Sequence, residues 1–252
     1  MAKVYFVGAG PGDPELITLK GRRLLDKADV IIYAGSLVNP ALLGDTTARV
    51  YNSASMTLEE IIEVMKGSVE RGELVVRLHT GDTSFYSALS EQIEQLRHHG
   101  IDFEVVPGVS SASAASAVLC QELTVPEVSQ TVIFTRLEGR TPVPERERLS
   151  RLSQHRTTMV IFLSVSMMER VREELIAGGY PEETPVAVVY RASWPDEEVI
   201  RGSLGDIVER VRESGIKKTA LIIVGEALRA SGGGTGRRSR LYEGSFSHEY
   251  RK

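Results

Sequence analysis

Short apolar runs alternate with amphipathic stretches in the first half of the chain. The runs are typical of buried strands and occur at Val4–Val7, Val30–Tyr33, Leu74–Leu78 and Phe103–Val106. Between them, apolar residues recur at helical spacing on a single face. One such set is Leu58, Ile61, Ile62, Met65 and Val69, and the next is Phe85, Leu89, Ile93 and Leu96. This alternation predicts an α/β fold with mainly parallel strands.

The second half of the chain predicts a mixed sheet. Its strand-like runs are Thr131–Thr135, Met159–Leu163, Val186–Tyr190, Val199–Gly202 and Ala220–Val224, with helices predicted at about 143–153, 167–177 and 204–213. Only the eight residues "RASWPDEE" separate the third run from the fourth. Eight residues are too few for a crossover helix, so this pair is predicted to be an antiparallel hairpin.

These patterns predict two α/β domains and a tail. The stretch "QELTVPEVSQ" interrupts the pattern near Pro126, and we place the domains at 1–120 and 121–228. From Arg229 the chain is polar, and "SGGGTG" has the composition of a flexible linker. The tail at 229–252 is expected either to be disordered or to dock its aromatic residues on the body or on a partner subunit.

Composition narrows the class of protein. A net charge of −4 gives no reason to expect a nucleic-acid partner, and no apolar run approaches the ~20 residues of a membrane span. The single cysteine, Cys120, excludes an internal disulfide and fits a reducing compartment, so a cytoplasmic protein is expected. The histidines show no metal-ligand spacing, and no metal site is predicted.

The first strand ends in the glycine-rich loop "VGAGPGDPELIT", from Val7 to Thr18. A dinucleotide fingerprint needs a third glycine at the sixth place, where this chain has Asp13 followed by Pro14. Asp13 can instead cap the next helix, with Pro14 at its first position and Glu15 in its first turn. The loop is therefore either a structural turn or a ligand-facing wall that is not a phosphate cradle.

Two more loops of the same kind follow later strands. "HTGDTSFY" begins at His79, and "VVPGVSSASA" begins at Val105. If the three loops share one sheet edge, they form a crevice of backbone amides, hydroxyls and the Asp82 carboxylate. Such a crevice suits a zwitterionic amino-acid moiety.

Together these motifs identify a resemblance to a known family. In this order the three loops resemble those of the tetrapyrrole (class III) S-adenosylmethionine-dependent methyltransferases, over residues 3–226. "YAGSL", "TRLEGRTPVPE", "VVYRASWPDEEVIRG" and "RSRLYEGSFSHEY" are similar to the precorrin-4 or cobalt-precorrin-4 C(11)-methyltransferases within it. The resemblance implies a homodimer of two-domain α/β subunits, with S-adenosylmethionine in a cleft between the domains and a tetrapyrrole in an adjoining trough.

The resemblance also assigns residues to the methyl donor. The matching positions are Pro11, Thr80, Gly81, Asp82, Phe85, Ser110, Ser111, Leu163, Ala192 and Ala220. One position departs from the family, which usually has proline where this chain has Thr83. Threonine leaves the loop freer than proline would and adds a hydroxyl group.

A tetrapyrrole with several carboxylate arms needs cationic and hydroxyl partners. Arg136 and Arg140 flank Glu138 at a strand end, and either arginine can bind substrate carboxylates, unless both pair with Glu138 or are only solvated. Tyr33 and Ser36 end the second strand and either line the trough or, for Tyr33, pack in the core.

No catalytic residue is certain from the sequence. His79 and Tyr33 are weak candidates, and a structural histidine is the favoured interpretation of His79. Trp194, on the predicted hairpin turn, is either a dimer contact or a lid.

The predicted function is methylation of precorrin-4 or cobalt-precorrin-4 at C(11) in cobalamin biosynthesis, with S-adenosylmethionine as donor and S-adenosylhomocysteine as product. The alternatives are a sibling enzyme acting on another precorrin or uroporphyrinogen III, and a non-catalytic tetrapyrrole-binding protein. Whether the substrate carries cobalt is open.

Overall fold

The computed structural model of the protein describes residues 3–44, 46–232 and 247, apart from the side chains of Ser36 and of residues 230–232. The predicted tail at 229–252 therefore lies largely outside the described residues. Contacts divide the chain into two compact units. Unit 1 holds the chain up to Ala114 together with Arg191–Asp196, and unit 2 holds Ala115–Tyr190 and the chain from Glu197 onward. The sequence-based boundaries at 120 and 228 remain predictions.

Unit 1 contains a parallel sheet. Its elements are β1 (Val4–Gly8), α1 (Leu19–Asp26), β2 (Val30–Tyr33), β3 (Arg49–Asn52), α2 (Leu58–Glu70), β4 (Val75–His79), α3 (Leu89–His98), β5 (Phe103–Val106) and the start of α4 (Ser111–Val118). The strand order is β3-β2-β4-β1-β5, and every neighbouring pair is parallel. This confirms the predicted parallel sheet.

Apolar side chains cover both faces of this sheet. On one face, Val7, Ile31 and Leu78 pack with Leu25 of α1. On the other face, α2 and α3 bury a second cluster, which includes Met65 and Leu96. Burial on both faces explains why the central strands read as continuous apolar runs.

Several sequence-based assignments of strands and helices were wrong. β3 was missed because its sequence, "RVYN", is polar and exposed at the sheet edge. Phe85 was placed on the helix of Leu89, but Tyr86 and Ala88 have φ of 54° and 52° and α3 begins at Leu89. Leu204 was placed on the last helix, but α7 begins at Ile207. Leu204 lies in the turn before α7 and is fully buried there.

Unit 2 contains the mixed sheet. Its elements are the end of α4, β6 (Val132–Arg136), α5 (Leu149–Leu152), β7 (Thr158–Phe162), α6 (Met168–Ala177), β8 (Pro185–Tyr190), β9 (Glu198–Ser203), α7 (Ile207–Ser214) and β10 (Ala220–Val224). The helix predicted over 143–153 is instead the short α5 between two 3-10 turns.

The strand order in unit 2 is β6-β7-β10-β8-β9. β6 and β7 are parallel, whereas the β7–β10, β10–β8 and β8–β9 pairs are antiparallel. The predicted hairpin is therefore confirmed, with Tyr190 opposite Glu198. One face of the sheet packs its core against α6 and α7 through residues such as Val171, Leu175 and Val211.

Over the described residues, none of the helices has the length and apolar character needed to cross a bilayer.

Candidate functional site

The loops after β1 and β4 lie at a switch point of the parallel sheet. β1 and β4 are neighbours, but α1, which follows β1, packs on one face and α3, which follows β4, packs on the other. Connections that leave adjacent strands towards opposite faces open a crevice at the carboxyl ends of the strands. Four residues that are predicted to contact the methyl donor follow these two strands: Pro11, Thr80, Gly81 and Asp82.

Three glycine loops meet at this edge through their backbones. Gly10 donates its N–H to the carbonyl of Gly81 at 3.2 Å, and Gly81 donates back to the carbonyl of Gly10 at 2.8 Å. A Cβ on Gly108 would lie 2.2 Å from the carbonyl oxygen of Gly81 and 2.8 Å from the Cα of Gly8. Only glycine permits this approach. The structure thus brings the first, second and third loops together.

Asp82 is the buried anion of the crevice, with 8% of its surface exposed. Its carboxylate accepts the N–H of Ser84 at 2.8 Å on one oxygen and the N–H of Gly108 at 2.7 Å on the other. Burial alone would raise the pKa of Asp82, but hydrogen bonds from the Ser84 side chain and from the N–H groups of Gly108 and Ser84 outweigh burial and lower that pKa. Each oxygen keeps a lone pair for a cationic or hydroxyl donor.

The first loop is held in place by side chains from other parts of unit 1. The Asn39 side-chain amide donates to the carbonyl of Gly12 at 2.8 Å, and the Trp194 indole donates to the carbonyl of Pro11 at 2.9 Å. Asp13 caps the next turn by accepting the N–H of Glu15 at 2.9 Å, which confirms the predicted cap, although the turn is 3-10 (Pro14–Leu16).

The second loop exposes its aromatic residues. Phe85 is 38% exposed and Tyr86 is 47% exposed, whereas Thr83 is buried. The carbonyl of Thr83 accepts a hydrogen bond from the Ser87 hydroxyl at 2.5 Å. The turn therefore closes without the family's usual proline.

The third loop leads into α4. The buried Ser110 hydroxyl accepts the N–H of Ala112 at 3.2 Å, and Ser111 is the first residue of the helix. Ser110 and Ser111, which are both predicted to contact the methyl donor, therefore lie where that helix begins.

His79 lies at the end of β4, beneath the crevice. It is 3% exposed, its ring centroid is 6.0 Å from that of Phe6, and its Nε2 has no partner within the described residues. Burial, with a smaller contribution from the charge of Arg77, lowers the pKa of His79 to about 3. The imidazole is therefore neutral at physiological pH.

Arg77 precedes His79 by two residues and is also buried. Its guanidinium donates to the Gln92 side-chain carbonyl at 3.0 Å, the Ser53 hydroxyl at 3.0 Å and the carbonyl of Ile32 at 3.3 Å. Burial lowers the pKa of Arg77 to about 10. Sequence analysis did not identify this buried cation because it read β4 as a plain apolar strand.

Tyr33 and Ser36 follow the end of β2. Tyr33 packs against the cluster of Ile31 and Leu78, and its carbonyl accepts a hydrogen bond from the Ser53 hydroxyl at 2.9 Å. Ser36 lies in a 3-10 turn, Gly35–Leu37, and its side chain falls outside the description.

Unit 2 collects a separate set of predicted residues at the ends of β6 and β7. Leu163 directly follows β7, has φ of 55° and is 66% exposed. Ser164 accepts the N–H of Leu137 at 2.9 Å, which joins its loop to that of Arg136 and Arg140. Ala220 begins β10, which runs antiparallel to β7, and so lies at the same end of the sheet.

The two predicted arginines have different surroundings. Arg136 donates to the carbonyls of Thr141 at 3.2 Å and Pro142 at 2.8 Å, so it holds its own loop closed. Arg140 is exposed, and its side chain makes no hydrogen bond or ion pair with another described residue. The alternative in which both arginines pair with Glu138 does not hold, because Glu138 pairs with Arg170 of α6 at 2.5 Å.

Ala192 lies in unit 1, within Arg191–Asp196, and is buried. Its neighbours Arg191 and Ser193 have φ of 45° and 69°. Among the residues that the structure describes, no group of three or more His, Cys, Asp or Glu could hold a metal ion.

The chain is similar to several known proteins. A profile of the tetrapyrrole (corrin/porphyrin) methylases matches residues 3–208. The chain is 62% identical to a cobalt-precorrin-4 C(11)-methyltransferase of Methanocaldococcus jannaschii over 252 residues, which are 99% of this chain and 96% of the relative.

Two solved structures share the fold. One is a cobalt precorrin-4 methyltransferase, a cobalamin biosynthetic enzyme, with a TM-score of 0.88 and 48% identity over 90% of this chain and 95% of that chain. The other is a uroporphyrin-III C-methyl transferase from Thermus thermophilus in complex with S-adenosyl homocysteine. Its TM-score is 0.77 at 30% identity, over 91% of this chain and 94% of that chain.

Proposed function

We propose that this chain, which belongs to the tetrapyrrole (corrin/porphyrin) methylase family, methylates precorrin-4 or its cobalt form at C(11) in cobalamin biosynthesis. The proposal is carried by the three glycine loops that meet at the switch point of unit 1. It is supported by the 62% identity, over 99% of the chain, to a cobalt-precorrin-4 C(11)-methyltransferase.

The crevice fits S-adenosylmethionine by its chemistry. Its loops are built on Gly8, Gly81 and Gly108, and the missing Cβ atoms of Gly8 and Gly108 let the three backbones pack against one another. The free lone pairs of the Asp82 carboxylate suit the ammonium group or ribose hydroxyls of the donor, and the hydroxyls of Ser110 and Ser111 add polar partners. Within unit 1, Pro11, Thr80, Gly81, Phe85 and Ala192 complete the proposed donor contacts.

Unit 2 is proposed to contribute Leu163 and Ala220 to the donor. Leu163 is 66% exposed and has a left-handed backbone, and Ala220 is a small, partly buried residue at the start of β10. These features suit a flat adenine ring, which is held by apolar contact and by main-chain hydrogen bonds.

When bound, S-adenosylmethionine supplies an electrophilic methyl group, and the electron-rich tetrapyrrole carbon is the nucleophile. The chain's task is to hold the two reactants in line, which can provide much of the rate. We infer that His79 is structural. With its pKa lowered to about 3 and 3% of its surface exposed, it is a weak base that has little contact with solvent.

For the substrate carboxylates we propose Arg140 as the direct partner. Arg140 is exposed and has no hydrogen-bond or ion-pair partner among the described residues. Its planar guanidinium can therefore bind a carboxylate with two hydrogen bonds. Arg136 is proposed to position this loop through its bonds to Thr141 and Pro142. Tyr33 and Ser36 are kept as proposed neighbours of the tetrapyrrole, at the end of β2.

Two further properties belong to the proposal. The family resemblance supports a homodimer, which light scattering of the purified full chain measures directly. A single cysteine in 252 residues supports a cytoplasmic location, since reducing compartments select against disulfides.

The proposed function is tested by turnover. The full chain is incubated with S-adenosylmethionine carrying a labelled methyl group and, in parallel, with precorrin-4, cobalt-precorrin-4 and uroporphyrinogen III. We expect a mass gain of one methyl group on a precorrin-4 form, with the label at C(11) by NMR. The ratio of the two precorrin-4 rates decides the cobalt question.

Two outcomes of this test contradict the proposal. Methylation of uroporphyrinogen III alone identifies a sibling enzyme. A tetrapyrrole complex without turnover, and without S-adenosylhomocysteine binding by calorimetry, identifies a carrier. The enzyme should bind S-adenosylhomocysteine at micromolar levels, or about −8 kcal/mol.

A further inference from the structure

The segment Arg191–Asp196 connects β8 to β9 but belongs to unit 1, where it packs on the first glycine loop. The Trp194 indole lies 4.0 Å from the guanidinium carbon of Arg191, which also forms an ion pair with Asp196. This cation–π stack fixes the plane of the indole. Trp194 is the only tryptophan in the sequence.

The indole and its neighbour hold two successive peptide groups of the loop. Trp194 Nε1 donates to the carbonyl of Pro11 at 2.9 Å, and the Ser193 hydroxyl accepts the N–H of Asp13 at 3.0 Å. The residue between them, Gly12, lies against the indole so closely that a Cβ there would be 2.1 Å from Trp194 Cδ1. The ring is therefore fitted to this loop.

From these contacts we propose that Trp194 is a positioning residue for the methyl donor. It holds the Pro11–Asp13 backbone in the conformation that faces the donor, while Gly10 is held from the other side by Gly81. Because the indole takes one lone pair of the Pro11 carbonyl, Pro11 is left to meet the donor with its ring or its second lone pair. This inference rests on the proposed function, since it assigns the loop to the donor.

The discriminating variant is Trp194→Phe, which keeps an aromatic ring over Gly12 and removes the N–H donor. Losing one such hydrogen bond typically costs about fivefold to tenfold in an equilibrium constant. We therefore expect the dissociation constant for S-adenosylhomocysteine and the KM for S-adenosylmethionine to rise by about that factor, while the KM for the tetrapyrrole stays within twofold. A residue that merely stabilised the fold would not separate the two KM values.

The matched control is Glu198→Gln, at the start of β9. Glu198 is exposed and lies outside the contacts to the loop. The affinity of Glu198→Gln for S-adenosylhomocysteine should equal that of the parent. In the parent, the emission of the single tryptophan should also change as S-adenosylhomocysteine binds, because the indole touches the donor loop.

Equal donor affinity in Trp194→Phe and the parent overturns the inference, as does an equal rise in both KM values. If Trp194→Phe does not fold, Ser193→Ala takes its place, because it removes the acceptor of the Asp13 N–H and should show the same selective rise. If the parent itself binds no S-adenosylhomocysteine, the proposed function fails instead, so the two failures are distinguished.

Discussion

The three glycine loops of unit 1 and the loops after β6 and β7 in unit 2 are built in different ways. In unit 1, three glycine loops are joined by backbone hydrogen bonds, and a buried carboxylate links the second loop to the third. In unit 2, the ends of β6 and β7 present an exposed leucine and an exposed arginine, and side-chain bonds from Ser164, Arg136 and Arg170 hold the loops. Under the proposed function, the backbone-built loops of unit 1 face the methyl donor, and the exposed side chains of unit 2 face the larger tetrapyrrole.

The largest effect is expected for Gly108→Ala, which tests whether the three glycine loops need their close approach. A Cβ there meets backbone atoms of Gly81 and Gly8 at 2.2 and 2.8 Å, so the loops must separate. We expect about a hundredfold loss of kcat/KM, as a shift of about 1 Å can cause. We also expect a loss of about 1–3 kcal/mol in the free energy of unfolding, from overpacking.

Its control is Gly67→Ala, on α2, where a Cβ meets only the Arg71 guanidinium at 3.4 Å. That variant should be as active as the parent and slightly more stable, since alanine is the better helix former. Urea unfolding and steady-state kinetics measure both variants. Parent-like kinetics for Gly108→Ala would show that the three loops do not need their close approach.

A second test concerns His79, which is buried at the end of β4. The pKa of His79 is about 3 in the fold and about 6.5 in the unfolded chain, so below pH 6.5 the unfolded state binds more protons. Stability is thus fully present above pH ~6.5 and falls with pH towards 3. Between pH 6.5 and 5 we expect a loss of about 1–2 kcal/mol from this residue, since each pKa unit is worth about 1.4 kcal/mol.

His79→Phe removes the titrating group and keeps a ring beside Phe6, whose centroid is 6.0 Å away. The difference in unfolding free energy between the parent and His79→Phe should therefore shrink or reverse as pH falls from 7 to 5, as measured by urea titrations at each pH. Parallel curves for the two proteins would show that His79 is not held neutral.

The smallest expected effect is on the KM for the tetrapyrrole, from substitutions in the loop after β6 of unit 2. Arg140→Ala should raise the KM for the tetrapyrrole about tenfold, the value of one charged hydrogen-bonding contact, and leave the KM for S-adenosylmethionine unchanged. Arg136→Ala should raise the same KM and also lower stability, because it frees the carbonyls of Thr141 and Pro142. An unchanged tetrapyrrole KM in Arg140→Ala would remove this arginine from the substrate site.

Much of the fold was predictable because its strands are buried and its helices amphipathic. The bounds Val30–Tyr33, Phe103–Val106 and Ala220–Val224 were predicted to the residue. The failures have local causes. β3 is a polar edge strand without an apolar pattern, and the left-handed residues Tyr86 and Ala88 break an otherwise regular helical spacing before α3.

The site was predictable only in part. The glycine spacing and strand ends indicated the three loops, since parallel strands present their carboxyl ends together. The contacts of Trp194 and Asn39 with the first loop were not predictable, because nothing in local sequence tells which distant segment packs there. The same holds for the pairing of Glu138 with Arg170, 32 residues along the chain.

The hydrogen bond from Trp194 to Pro11 joins residues 183 positions apart. During synthesis, chains emerge from the N-terminus and local parts fold first. The parallel sheet and all three glycine loops are present once α4 has been made, but the first loop lacks Trp194 and Ser193 until β8 is finished. An N-terminal fragment therefore contains all three glycine loops without the Trp194 and Ser193 contacts to the first of them, and these contacts form only after most of the chain has been made.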